Sequence, residues 1–163
     1  SVNNLGVLLF SEGKFAESEP YHREVLMARE RTLGPDHRHT LSAMQNMGGL
    51  LIALQRYSEA EEMLRNATDR RATVLGPADV STLTSRMMLG EAIMKQDRFA
   101  EAETLLVEVR SGLDIAKQHV PADVDERCTR NLIDLYLAWE AAEPDRGHAA
   151  KAAEWKARAT KKP

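Results

Sequence analysis

Apolar residues return every three or four positions through most of this chain, and polar breaks interrupt them at regular intervals. Leu41, Met44, Met47, Leu50, Leu51 and Leu54 form one such run, the stripe of an amphipathic helix. Gln55-Arg56 interrupts it, and Tyr57, Ala60, Met63, Leu64 and Ala67 carry a second stripe toward Leu75. Two stripes joined by so short a break predict a pair of antiparallel helices, neither of which buries its apolar side alone.

The pattern recurs at a shift of 42 residues. Asn4-Leu5-Gly6 falls on Asn46-Met47-Gly48 and on Met88-Leu89-Gly90; Phe15-Ala16-Glu17-Ser18-Glu19 falls on Tyr57-Ser58-Glu59-Ala60-Glu61 and on Phe99-Ala100-Glu101-Ala102-Glu103. A degraded fourth copy begins near Asp123, with Asn131-Leu132 aligned to Asn46-Met47 after one extra residue. Stacked helix pairs supply one another with a core. The expected fold is therefore all-α, an α-α superhelix of about four helix-turn-helix units at 1–35, 36–77, 78–121 and 122–163 within one domain. Gly34-Pro35 and Gly76-Pro77 mark junctions, since glycine ends a helix and proline does not resume it. Asp36 is placed to cap the helix that follows, and Asp123 with Glu126 has the spacing of a capping box.

Composition narrows the function. Charged residues make up 29% of the chain and the net charge is −3, which gives no general attraction to nucleic acid or anionic lipid. No apolar run is long enough to span a membrane. The single cysteine, Cys128, excludes an internal disulfide and fits a reducing, cytoplasmic setting. Ser1-Val2-Asn3-Asn4-Leu5 lacks the form of a signal peptide and reads as mid-helix, so a fragment of a longer protein is expected. Val2, Leu5 and Leu9 at that start are expected to be partly uncovered and to favour self-association through the solenoid ends.

The residues carry a family resemblance. Leu5-Gly6 followed by Leu9, and Ala60 followed by Leu64, resemble the core pattern of tetratricopeptide repeats. The 42-residue period and the Leu33-Gly34-Pro35-Asp36-His37 junction resemble the kinesin-light-chain type, whose second helix is longer. HEAT or armadillo arrays have units of similar length but do not account for Leu-Gly or for Tyr57-Ser58-Glu59-Ala60-Glu61. Leu135-Tyr136-Leu137-Ala138-Trp139 with Ala152-Ala153-Glu154-Trp155 is similar to the terminal repeats of bacterial Ser/Thr protein kinases. None of the kinase's catalytic motifs is present in the sequence.

The resemblance implies a right-handed α-α superhelix and a non-catalytic scaffold that binds an extended peptide or partner segment in a concave groove lined by the first helix of each unit. It implies groove positions at Asn4, Asn46 and Asn131, at the preceding Asn3, Gln45, Met87 and Arg130, at Ser42, Thr84 and Arg127, and at Gly49, Glu91 and Asp134, with Val7 equivalent to Gly49. Asparagine amides both donate and accept, which suits them to a peptide main chain. Thr84 and Met88 stand where the clamp for C-terminal carboxylates carries Lys and Arg, so the resemblance does not extend to chaperone tails. A regulatory or substrate-recruiting array of a bacterial kinase or signalling protein is the alternative. No cofactor, metal, nucleic acid or membrane is implied.

Two constellations invite chemistry. His37 and His39, with Asp36 or His22 as a further ligand, sketch a metal-dependent hydrolase, but the equivalent junction Ala78-Asp79-Val80-Ser81 has no histidine. Glu17/Glu19, Glu59/Glu61/Glu62 and Glu101/Glu103 recur at second-helix starts, where negative charge complements the helix dipole.

Overall fold

The computed structural model describes residues 2–116 and 119–160, without the side chains of residues 2 and 3. Among the described residues there are eight helices and no strand: α1 (Val2–Ser11), α2 (Phe15–Leu33), α3 (Arg38–Ala53), α4 (Tyr57–Leu75), α5 (Val80–Met94), α6 (Phe99–Ala116), α7 (Ala122–Ala142) and α8 (His148–Thr160). Each helix packs on the next, and α5 also touches α3 and α7. The result is an all-α helical-repeat solenoid in which odd-numbered helices form one layer and even-numbered helices the other.

Within the first three pairs the connecting turn has one residue at positive φ: Gly13 at 75°, Gln55 at 59° and Asp97 at 60°. Between pairs, Gly34 (φ 86°, ψ 164°) and Gly76 (φ 94°, ψ 155°) end α2 and α4. That combination lies in a region essentially reserved for glycine, so the chain leaves the helix there rather than continuing into Pro35 and Pro77.

In the second and third pairs the two helices meet over a glycine. A Cβ added at Gly48 would lie 2.5 Å from Leu64 Cγ, and one at Gly90 would lie 3.0 Å from Leu106 Cγ. Leu64 and Leu106 are themselves fully buried, so neither has room to retreat. Around these crossings Leu50, Leu83, Met87, Ile93, Leu113, Leu132 and Leu135 make a continuous core from the second pair to the fourth. Leu26, Leu41, Ala43, Met44 and Ala67 form a smaller cluster joining the first pair to the second. In the first pair, Leu5, Val7, Leu8 and Phe10 of α1 remain exposed.

The recurring carboxylates do more than complement helix dipoles. Arg56 at the start of α4 forks between Glu59 of its own helix (2.6 Å) and Glu19 of the preceding pair (2.8 Å). Arg98, one unit on, repeats the fork to Glu101 (2.5 Å) and Glu61 (2.6 Å). In the fourth pair Lys151 takes Glu103 at 2.7 Å, and Tyr136 Oη donates to the same carboxylate at 2.7 Å. Behind them, Arg29 and Arg71 donate to the carbonyls of His39 and Ser81 at 2.8 Å, tying α2 to α3 and α4 to α5. At the last junction Trp139 lies between Phe99 and His148, with ring centroids 5.9 and 4.1 Å away.

Two capping expectations are corrected. His37, not Asp36, caps α3: its Nδ1 accepts from His39 N–H at 3.2 Å, while Asp36 pairs with Arg70 of α4 at 2.8 Å. The Asp123–Glu126 spacing does not build a capping box, because α7 already begins at Ala122 with Pro121 as its cap and no side-chain bond.

Two stability tests follow from this packing. Gly48→Ala should lower the unfolding free energy by about 1–3 kcal/mol, since the new methyl has to displace buried Leu64; urea unfolding measures it. The Arg56 hydrogen bonds hold the Glu19 and Glu59 carboxyls below their ordinary value. A carboxyl depressed in the folded state stabilises above its unfolded pKa of about 4.5 and loses that contribution as pH falls through its folded value. Arg56→Met should therefore cost stability at pH ~7 and much less at pH ~3, and added salt should shrink the difference.

Candidate functional site

The odd-numbered helices enclose a cleft of about 540 Å³ on their shared face. Val7 and Phe10 of α1 form one end, Gln45, Asn46, Gly49, Ile52 and Ala53 of α3 the floor, Met88 and Glu91 of α5 the far wall, and Arg127 of α7 the other end. His22 of α2 enters the same cleft. The helical repeat explains the lining, since residues three and four apart share a face and Val7, Gly49 and Glu91 occupy one repeat position.

The cleft changes character along its length. Its first end is apolar, with Val7, Phe10 and Ile52. The middle carries Gln45, whose Oε1 accepts from buried Ser85 at 2.8 Å, and the exposed Asn46. Among the described residues the Asn46 amide has no hydrogen-bond partner. At the other end Arg127 Nη2 meets Glu91 Oε2 at 2.9 Å, with Glu91 mostly buried and Arg127 partly exposed.

Of the positions expected to face a groove, Gln45, Asn46, Gly49, Glu91 and Arg127 line this cleft, as does Val7. Met87 is corrected: it is 0% exposed in the core, because α5 is enclosed by helices on more sides than α3. Asn131 is 6% exposed, which leaves too little surface to touch a ligand. Ser42 and Thr84 spend their hydroxyls on the carbonyls of Arg38 (2.9 Å) and Val80 (2.7 Å) near the helix starts, outside the cleft lining. Asn4 is exposed a turn before Val7 and also lies outside it, as does exposed Asp134. Arg130 lines a different depression with Arg110, Trp155 and Arg158. The side chain of Asn3 lies outside the described residues.

Sequence reasoning missed Phe10, Ile52, Ala53 and His22 as lining residues. Phe10 and Ile52 occupy one repeat position, three residues after Val7 and Gly49, so helical spacing carried that signal. His22 was hidden because it belongs to a second helix.

The histidine pair of the junction does not make a metal centre. The His37 and His39 rings are tilted by 45° with centroids 5.2 Å apart, His37 Nδ1 caps α3, and Asp36 faces Arg70. Among the described residues no group of three or more His, Cys, Asp or Glu side chains is placed to hold a metal ion. Cys128 is fully buried, and burial pushes its thiol up to about 11, which makes it a poor nucleophile. Among the described residues no helix is long and apolar enough to cross a membrane.

Stacked antiparallel helix pairs with an open cleft on one layer define a helical-repeat protein. Residues 1–73 match the family model of the tetratricopeptide repeat, and repeats of this family generally mediate protein–protein contact. A crystal structure from Podosopora anserina, described as a kinesin light chain with nearly identical TPR-like repeats, superposes with a TM-score of 0.76 at 22% identity, covering 97% of this chain and 71% of that one. A second structure of a kinesin light chain with nearly identical TPR-like repeats from the same organism matches at a TM-score of 0.42 and 15% identity, covering 99% of this chain and 96% of that one. The fold is thus that of kinesin-light-chain-like tetratricopeptide arrays; these matches do not show the kinase-type terminal repeat. No curated protein matches the sequence.

The cap gives a direct test. Asp79 stands where His37 does one unit earlier, and its Oδ1 accepts from Ser81 N–H at 2.8 Å. His37→Asp should therefore raise stability by about 0.5–1 kcal/mol in urea unfolding at neutral pH, through a stronger acceptor and a favourable charge at the helix start.

Proposed function

We propose that this protein is a non-catalytic scaffold that holds an extended segment of a partner protein in the cleft between α1, α3, α5 and α7. The observation that carries the reading is Asn46: an exposed amide at the centre of a cleft, with its hydrogen-bonding capacity unspent by the protein among the described residues. An extended chain presents N–H and C=O groups at regular intervals, and a carboxamide pairs with both. Val7, Phe10 and Ile52 would desolvate an apolar side chain at one end, while Arg127, half free of Glu91, would meet an acceptor at the other. Stiff stacking beneath the cleft keeps these groups in place before binding, which limits the entropy lost on association.

A random peptide library selected against the purified protein supplies the probe. Asn46→Ala should weaken the selected peptides about five- to tenfold by titration calorimetry, the worth of one or two main-chain hydrogen bonds, and leave the melting temperature unchanged. Selected peptides that bind Asn46→Ala as tightly as the parent would sink the cleft assignment.

A further inference from the structure

The first helix pair departs from the other two at one buried spot. In the second and third pairs the residues packed over the glycine crossing are Ala60 with Leu64 and Ala102 with Leu106, all fully buried. In the first pair the same repeat positions hold Ser18 and His22. Ser18 is 0% exposed, and its Oγ donates to Gly6 O at 2.8 Å. With that proton committed, the Oγ lone pairs face His22 Nδ1 at 2.9 Å, and Ser18 O lies 3.2 Å from the same nitrogen. Nδ1 thus has two acceptors before it and must carry the hydrogen.

A neutral imidazole protonated at Nδ1 has an unprotonated Nε2. The ring is held by close packing: a Cβ at Gly6 would lie 3.2 Å from Nδ1 and 3.4 Å from Cε1, and the Phe10 ring stands 6.3 Å away. Because the ring lines the cleft and Nδ1 is spent on Ser18, Nε2 is the polar atom left for an occupant. The pair is not a nucleophile and base: the serine is sealed from solvent, and its proton points to a carbonyl rather than to the imidazole. Nor is it needed for packing, since two other crossings are filled by Ala and Leu.

We propose that His22 is a specificity-determining residue of the cleft, whose Nε2 accepts a hydrogen bond from one main-chain N–H of the bound segment. This rests on the cleft reading above and sharpens it. Asn4 does not reach the cleft, so His22 supplies the polar contact of the first pair. One register of the bound segment must then keep its N–H, and proline is excluded there.

Peptides selected on the parent protein are resynthesised with each amide in turn replaced by an ester, which removes the N–H. The set is titrated against the parent and against Ser18→Ala/His22→Leu, which copies the Ala60–Leu64 pair and should fold at least as stably by thermal melt. One ester should cost the parent about fivefold or more in affinity and cost the double variant little. Proline should be absent at that register in parent-selected peptides and tolerated in variant-selected ones. Long-range ¹H–¹⁵N correlation at pH ~8 should show His22 Nε2 unprotonated. An ester scan with the same profile on both proteins, or an Nε2–H tautomer, overturns the role of His22 while leaving the cleft standing. Failure to select any peptide, or peptides indifferent to Asn46→Ala, removes the cleft reading and this inference with it.

Discussion

Where the two helices of each of the first three pairs cross, side chains of the second lie against a glycine of the first, and the spacing of those pairs depends on that approach. Leu64 over Gly48 and Leu106 over Gly90 bring the helix axes together by the depth of a missing methyl. Tight pairs leave the opposite faces of α3 and α5 free to meet the neighbouring units, and the core runs through from the second pair to the fourth. The cleft is the part of the odd-helix layer that this packing leaves uncovered. At Gly6 the same contact is made with an imidazole, so one constraint produces both the regular fold and its irregular polar point.

The surface of the even-helix layer is organised by charge instead. Each arginine fork joins a carboxylate of its own unit to one of the unit before. Such exposed pairs contribute little one by one. Their value lies in register: the guanidinium has two partners at fixed positions, so a unit that slid or rotated against its neighbour would break both sets of bonds. The cleft on the other layer inherits that alignment, because Glu91 and Arg127 belong to different units and still meet at 2.9 Å.

How much of this was written in the sequence depends on whether a feature repeats. The helices, the glycine junctions and the Leu-Gly crossings occur in several copies, and a shift of the chain against itself displays them. Gln45, Asn46, Gly49 and Glu91 lie in the cleft as the family resemblance implied. Met87 does not, because its burial comes from the neighbours of α5 and not from its own helix. Asn131 lies beyond an inserted residue and is buried in the last odd helix. His37 rather than Asp36 caps α3; both are polar and adjacent, and only the backbone direction at the start of the helix distinguishes them. His22 carried a signal of a different kind, a polar residue where two equivalents are leucine, which marks an exception without saying which surface it serves.

The aromatic stack at the end of the array has an optical consequence. The chain has two tryptophans, and both Trp139 and Trp155 stand in the fourth pair, the former between Phe99 and His148 and the latter beneath Arg158. Tryptophan fluorescence therefore watches the last unit and its junction with the third, whereas circular dichroism averages over every helix. Comparing the two signals during denaturation tells whether the array melts as one body or peels from an end, and it does so without a label.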